Sequence, residues 1–83
     1  MLKILLSKRA EKELNTLPAN QTKRLLIALD ELAQLGIKSS NLKKLQTPFP
    51  GYRKRVGDFR ILFEVNEDIA VIYRISKRSE AYR

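Results

Sequence analysis

The second half of the chain alternates apolar and polar residues with a period of two. The alternation covers residues 59–65 and resumes over residues 69–75, with a polar break at residues 66–68. Since successive side chains of a strand point to opposite faces, this pattern predicts two half-buried strands joined as a hairpin. A three-residue loop pairs Val65 with Ile69 and places both apolar sets on one face. A two-residue loop would send one set to the opposite face, so we prefer the odd loop.

A second turn signal, Gly57-Asp58, precedes this hairpin and follows a basic run at residues 52–55. A two-residue turn here places Val56 opposite Phe59 and Arg55 opposite Arg60. Like charges directly opposed across two strands destabilise a sheet. We therefore expect the positive charge to have a use, with phosphate as its counter-charge.

The preferred registers bring basic residues together on one face of the predicted sheet. Arg60 lies opposite Arg74, and the face turned away from the helices carries the arginines and, between them, three apolar residues. These are Arg53, Arg55, Arg60 and Arg74, with Leu62, Ala70 and Ile72. A solvated sheet surface is the simpler interpretation, but arginine offers a rigid fork of donors that suits phosphate oxygens. We favour an anion site.

The first half has helical periodicity after a short apolar strand at residues 2–6. Ser7 can cap a first helix, which begins at Lys8 and is stopped by Pro18. Asn20 is the expected cap of a second helix that ends near Gly36. The apolar stripes of the two helices are Ala10, Leu14 and Leu17, and Leu25, Ala28, Leu29 and Leu32. The order β-α-α-β-β-β predicts one α+β domain over residues 1–83, a mostly antiparallel four-stranded sheet with a helical hairpin on one face.

Composition narrows the chemistry that the chain can perform. The 83 residues have a net charge of +8 and contain no cysteine and no histidine. A thiolate zinc site and an imidazole base are therefore excluded. The carboxylates form no paired constellation, which argues against a metal-dependent nuclease, and no cofactor is expected. No apolar run approaches the ~20 residues that span a bilayer, so we expect a cytoplasmic protein without a membrane partner.

Residues between the second helix and the basic run, and those near the end of the chain, have weaker signals. Lys43 and Lys44 fit a solvated loop. One interpretation of Arg78 and Tyr82 is an exposed tail. The other is that Tyr82, beside several cations, stacks on a base or takes part in proton transfer. The tail alone does not decide between these interpretations.

Two segments of this sequence resemble the RelE/ParE toxin superfamily. They are YRKRVGDFRILFEV at residues 52–65 and IYRISKRSEAY at residues 72–82. The order of predicted elements matches as well, so the resemblance covers nearly the whole chain. It implies a toxin of a type II toxin–antitoxin pair. RelE-type members enter the ribosomal A site and cleave mRNA without a metal, by attack of the 2′-hydroxyl on the adjacent phosphate.

The resemblance also implies roles for individual residues. Arg53 and Arg55 match the basic strand positions, Arg60 the transition-state arginine, Arg78 the C-terminal arginine and Tyr82 the terminal tyrosine. Accessory substrate contacts are expected from Lys54, Arg74 and Lys77. The family often has lysine where Arg53 and Arg55 stand, and because arginine stays protonated it is a poor proton shuttle. The general base is therefore left unassigned.

Partners and alternatives follow from the same resemblance. It implies a RelB-like antitoxin, the ribosome and its mRNA, with operator DNA reached only through the antitoxin complex. A ParE-type inhibitor of DNA gyrase is the alternative within the superfamily, and a non-catalytic RNA-binding module is the alternative outside it. The basic face and the terminal tyrosine favour the RelE type.

Overall fold

The computed structural model describes residues 1–39, 41–45 and 51–77. It confirms the α+β class and the predicted order of helices and strands, and it adds one short strand. The elements are β1 (Lys3–Leu6), α1 (Lys8–Asn15), α2 (Ala19–Leu35), a 3₁₀ turn (Gly36–Lys38), β2 (Leu42–Lys44), β3 (Gly51–Val56), β4 (Phe59–Asn66) and β5 (Ile69–Lys77). No helix within these described ranges is long and apolar enough to cross a membrane.

The strands form one sheet in the order β1-β5-β4-β3-β2. β1 runs parallel to β5, and the other neighbouring pairs are antiparallel. The expectation of four strands was wrong, because Leu42–Lys44 pairs with β3 where a solvated loop was expected. A strand of three residues is too short to show a period-two pattern, so no pattern in the sequence indicates it.

The two helices begin differently. Ser7 caps α1 as predicted, since its Oγ accepts the Ala10 N–H at 3.1 Å. α2 begins at Ala19, so the cap predicted at Asn20 was wrong, and Pro18 occupies the N-cap position without a side-chain hydrogen bond. The Pro18 carbonyl instead accepts the N–H groups of Gln21 and Thr22. Proline's fixed φ sets the chain for a helix that starts directly after it.

The helices cover one face of the sheet and enclose the core with it. The predicted stripe of α2 is confirmed in full, and the buried apolar residues are Ala10, Leu14, Leu25, Ala28, Leu29 and Leu32 from the helices and Phe59, Ile61, Phe63, Ala70, Ile72 and Ile75 from the sheet. Gly36, with φ of +60°, ends α2 as expected. The opposite surface of the sheet, which the helices do not cover, is called the outer face below.

The β4–β5 hairpin has a two-residue turn, so the predicted three-residue loop was wrong. Asn66 pairs with Ile69 and Val65 with Ala70, which leaves Glu67 and Asp68 as the turn. Glu67 adopts a φ of +57°, in the left-handed region. In this register Ala70 faces the core together with Val65, whereas the sequence placed it on the outer face.

Further along the same hairpin, a β-bulge returns Ile75 to the core face that the alternation predicted for it. Phe63 pairs with Ile72 but Leu62 pairs with Arg74, so Tyr73 is an extra residue on β5. The side chains of Ile72 and Ile75 both face the core. Ile72 was therefore also wrongly assigned to the outer face, and Arg60 lies opposite Ser76 rather than Arg74. One inserted residue changes which side chains share a face.

The backbone of Glu67 allows a test of the two-residue turn. A left-handed conformation disfavours residues that have a Cβ by roughly 1–2 kcal/mol, and glycine avoids that strain. We expect Glu67→Gly to raise the free energy of unfolding by about 1 kcal/mol, measured by urea denaturation. Asp68→Gly is the matched control, because Asp68 has no positive φ. A destabilised Glu67→Gly protein would contradict this turn geometry.

Candidate functional site

The outer face carries four arginines in two rows that cross β3, β4 and β5. Cross-strand pairing places Arg55, Arg60 and Ser76 in one row. The next row contains Arg53, Leu62 and Arg74. The predicted opposition of Arg55 and Arg60 is confirmed, and neighbouring strands lie only about 4.8 Å apart. The structure thus brings Arg53, Arg55, Arg60 and Arg74 to one face, by a different route from the one predicted.

These arginines differ in their exposure to solvent. Arg55 is exposed and Arg53 is partly buried, whereas Arg60 is only 3% exposed. Its row neighbour Ser76 is equally buried, and Ser76 Oγ has no hydrogen-bond partner among the described residues. A cation in a poorly hydrated position attracts an anion more strongly than one in bulk water. The row can therefore supply a guanidinium and a hydroxyl to one anion.

The short strand β2 extends this basic surface. Lys43 pairs with Arg53, and a cavity of about 280 Å³ is lined by Asn41, Leu42, Lys43, Arg53 and Arg55. The sequence assigned Lys43 to a loop because nothing in three residues indicates a strand. Pairing with β3 places it beside the arginines instead.

Arg74 is held at the border of the outer face by a carboxylate from α1. Its Nε donates to Glu13 Oε2 at 3.3 Å, and the Ile75 N–H donates to Glu13 Oε1 at 2.8 Å. β1 ends opposite Ile72, so this carboxylate covers the part of β5 that β1 leaves open. Protection of an exposed strand edge is a common need of sheets. Glu13 thereby fixes both the edge and the neighbouring arginine.

Lys54 lies on the other side of β3, toward the helices. Its side chain is 2% exposed, and its Nζ donates to Glu31 Oε1 at 2.9 Å and to Ser39 Oγ. Glu31 belongs to α2, and Ser39 follows the 3₁₀ turn. The structure therefore does not bring Lys54 together with the arginines, and its predicted substrate contact gains no support from the geometry.

Three predicted site residues come at the end of β5 or after it in the sequence. Lys77 is exposed and pairs with Phe59, on the helix side of the sheet by alternation. Arg78 and Tyr82 lie outside the described residues, so their predicted roles stay predictions. Among the sequence-predicted residues that the structure describes, those on the outer face are Arg53, Arg55, Arg60 and Arg74.

Tyr73 is a site residue that the sequence did not indicate. Period-two alternation placed it with the core residues, but the bulge moves it to the outer face beside Arg74. A Cβ built on Gly51 of β3 would lie 3.2 Å from the Tyr73 hydroxyl. Burial first, and then the negative charge of Glu64, raise the pKa of Tyr73 above 10.0. The phenol therefore stays neutral at physiological pH and can donate a hydrogen bond.

Residues 4–82 match the family model described as the ParE toxin of the type II toxin–antitoxin system parDE. The chain belongs to the RelE/ParE toxin superfamily. It is 31% identical over 84 residues to Toxin RelE3 of Methanocaldococcus jannaschii, covering 98% of this chain and 96% of that protein. It is therefore a toxin of a type II toxin–antitoxin system, as the sequence motifs implied.

Solved structures share this fold over nearly their whole length. The RelB–RelE antitoxin–toxin complex from Methanococcus jannaschii has a TM-score of 0.77 at 29% identity, covering 94% of both chains. The archaeal RelE–RelB complex from Pyrococcus horikoshii OT3 has a TM-score of 0.76 at 25% identity, covering 95% of this chain and 97% of that one. The isolated E. coli RelE toxin has a TM-score of 0.79 at 22% identity, covering 99% and 92%. The last likeness concerns the fold alone.

The buried contact between Lys54 and Glu31 predicts an asymmetric response of the toxin to mutation. Glu31→Ala removes the carboxylate from a buried ammonium, and we expect it to lower the free energy of unfolding by about 3 kcal/mol. Lys54→Met leaves a carboxylate that is 36% exposed and can be rehydrated, so its effect is expected to be about half as large or less. Urea denaturation measures both.

The double variant provides the control for this prediction. Glu31→Ala with Lys54→Met removes both charges, and we expect it to be more stable than Glu31→Ala alone. The contradicting result has two parts. Both single variants would lose the same free energy of unfolding, and the loss in the double variant would equal their sum, which means that the contact contributes no coupling energy.

Proposed function

We propose that this toxin is a metal-independent endoribonuclease that cleaves mRNA in the ribosomal A site, in the cytoplasm. The observation that supports this most directly is the row containing exposed Arg55 and buried Arg60, which lie opposite each other on the outer face. Two guanidinium groups in this arrangement suit the oxygens of one phosphate. Similarity to proteins named RelE adds independent support.

In the proposed reaction the mRNA supplies its own nucleophile. The 2′-hydroxyl oxygen attacks the adjacent phosphorus while the bond from phosphorus to the 5′-oxygen breaks. The products are a 2′,3′-cyclic phosphate and a 5′-hydroxyl, so one proton leaves the nucleophile and one reaches the leaving oxygen. Arg60 stabilises the negative charge that develops on the non-bridging oxygens, and Arg53 and Arg55 hold the phosphate in line.

No residue is assigned to the two proton transfers. Arginine stays protonated, so Arg53 and Arg55 act by charge and position rather than as bases. Tyr82 orients the nucleophile or stacks on a reacting base, and Arg78 adds a further cation to the phosphate. Arg74, from its place next to Leu62, contacts the flanking nucleotides. Lys54 and Lys77 lie on the helix side of the sheet and are not included in the proposed contacts.

Inhibition of DNA gyrase is the second candidate function. It is favoured by one finding, since the family model that matches residues 4–82 describes a ParE toxin. A gyrase inhibitor needs no RNA-cleaving site, so the two functions differ in what loss of an outer-face arginine does to mRNA. The two candidates are separable in a single set of purified reactions.

The cleavage proposal is tested in a purified translation reaction with one defined mRNA. We expect the wild-type toxin to cut within codons at translating ribosomes, as read by primer extension. Arg55→Gln, at an exposed position, is expected to reduce the cleavage rate by roughly 10- to 100-fold because one phosphate contact is lost. Lys12→Gln is the matched control, since it removes the same charge from an exposed position on α1.

Three outcomes of these reactions would contradict the proposal. Intact mRNA together with inhibited supercoiling by purified gyrase would establish the ParE-type function. Intact mRNA together with salt-sensitive RNA binding would leave a non-catalytic RNA-binding module. Equal cleavage by Arg55→Gln and Lys12→Gln would remove Arg55 from the site.

We also propose that a RelB-like antitoxin covers the outer face. Two related toxins are described in complex with RelB. Ala70 and Ile72, which the sequence placed on the outer face, are buried in the core and cannot contact it. The outer face offers exposed Val71 and Leu5 instead, which are paired neighbours on β5 and β1, in addition to Leu62. Acidic residues of the antitoxin would neutralise the arginines, and operator DNA would be reached only through the complex.

The antitoxin proposal predicts a small acidic protein encoded next to this one that co-purifies with the tagged toxin. We expect Val71→Glu to weaken that complex by at least about tenfold, because a charge would enter an apolar contact. Ile37→Glu is the matched control, an exposed apolar residue in the 3₁₀ turn on the helix side. Unchanged affinity in Val71→Glu, measured by calorimetry, would place the antitoxin elsewhere.

A further inference from the structure

We propose that Tyr73 is the base-stacking residue of the outer face and binds a nucleobase next to the phosphate held by the arginines. This inference rests on the proposed RNA substrate and assigns a residue that the family resemblance did not include. It starts from the bulge between β4 and β5. β-Bulges occur often next to active sites, where they redirect a side chain.

The bulge decides where the tyrosine ring lies. Ile72 and Ile75 both face the core, so Tyr73 and Arg74 occupy the two intervening positions on the outer face. The Tyr73 hydroxyl reaches Gly51 on β3, two strands away. Because strands are about 4.8 Å apart, the ring must extend along the sheet surface over β4 rather than stand out from it. A flat, partly exposed aromatic ring of this kind forms a shelf.

Gly51 is what makes room for the shelf. A side chain at this position would begin 3.2 Å from the Tyr73 hydroxyl and 3.1 Å from Leu45 Cδ1. Gly51 also pairs with Glu64, whose charge helps to keep the phenol neutral. The tyrosine hydroxyl therefore lies close to Gly51 before any ligand arrives, and a ring already in this position loses less entropy on binding.

The neighbours of the ring point to RNA rather than to a simple anion. The adjacent row contains Arg53, Leu62 and Arg74, so cations lie beside the aromatic surface. Single-stranded nucleic acid is bound by this combination, with guanidinium groups on the phosphates and an aromatic face under a base. Glu64 stands near the hydroxyl, where a second phosphate would be repelled, and this favours a neutral base at the shelf.

A fluorescent variant gives a direct test. The chain contains no tryptophan, so Tyr73→Trp, incorporated as 5-hydroxytryptophan, is a single reporter that is excited at a longer wavelength than the tryptophans of the ribosome. We expect its fluorescence to be quenched by ribosomes programmed with an mRNA whose A-site codon carries 2′-O-methyl groups, which block attack. Tyr52→Trp is the matched control, since Tyr52 stacks on Phe63 with ring centroids 5.7 Å apart, on the helix side. Its fluorescence should not respond.

Affinity measurements separate the ring from the hydroxyl. We expect Tyr73→Leu to weaken binding to the same ribosomes by about tenfold, the size of one lost base stack, and Tyr73→Phe to bind nearly as the wild type does. Thermal unfolding checks that each variant is folded. If Tyr73→Leu does not fold, the quenching of Tyr73→Trp decides the question alone.

The outcomes distinguish this inference from the proposed cleavage. Quenching without mRNA cleavage by the wild type would support the shelf and overturn the nuclease proposal. Cleavage by a Tyr73→Trp protein that shows no quenching would overturn the shelf and leave the nuclease proposal standing. Quenching by the purified antitoxin but not by the programmed ribosomes would assign the ring to the protein partner and overturn its role in RNA binding.

Discussion

The division of β5 between the core and the outer face depends on the bulge in the β4–β5 hairpin. The two-residue turn at Glu67 and Asp68 places Ala70 and Ile72 against the helices, and without a correction Arg74 would follow them into the core layer. One extra residue, Tyr73, reverses the alternation, so that Ile75 faces the core and Arg74 the outer face. The bulge thus allows one strand to contribute apolar residues to the core and a cation to the site.

A second constraint acts on β3, where three consecutive cations must be divided between two faces. Lys54 is the one that points toward the helices, and Glu31 and Ser39 accept its hydrogen bonds there. A register shift of one residue would bury Arg53 and Arg55 and expose Lys54. The contact with Glu31 therefore helps to specify the pairing that exposes the arginines, whether or not it adds to stability.

The candidate site follows from these two constraints. The two constraints set the registers of β3, β4 and β5, and both rows of the site cross these strands. Arg60, the least exposed arginine of the rows, lies on the central strand, β4. Like charges directly opposed across β3 and β4, at Arg55 and Arg60, favour the binding of an anion on this face. The proposed RNA substrate and the proposed acidic antitoxin both bring negative charge to this face, so we expect binding of one to exclude the other.

The sequence by itself determined the class of the fold, the order of its elements, the stripe of α2 and the opposition of Arg55 and Arg60. These features depend on local periodicity, on caps and on the Gly57-Asp58 turn, which neighbouring residues specify. Only the tertiary structure decided the strand β2, the inward position of Lys54 and the outward position of Tyr73. A three-residue strand has no period, a lysine has no preferred face until Glu31 lies next to it, and a bulge is defined by the pairing of two strands rather than by either one.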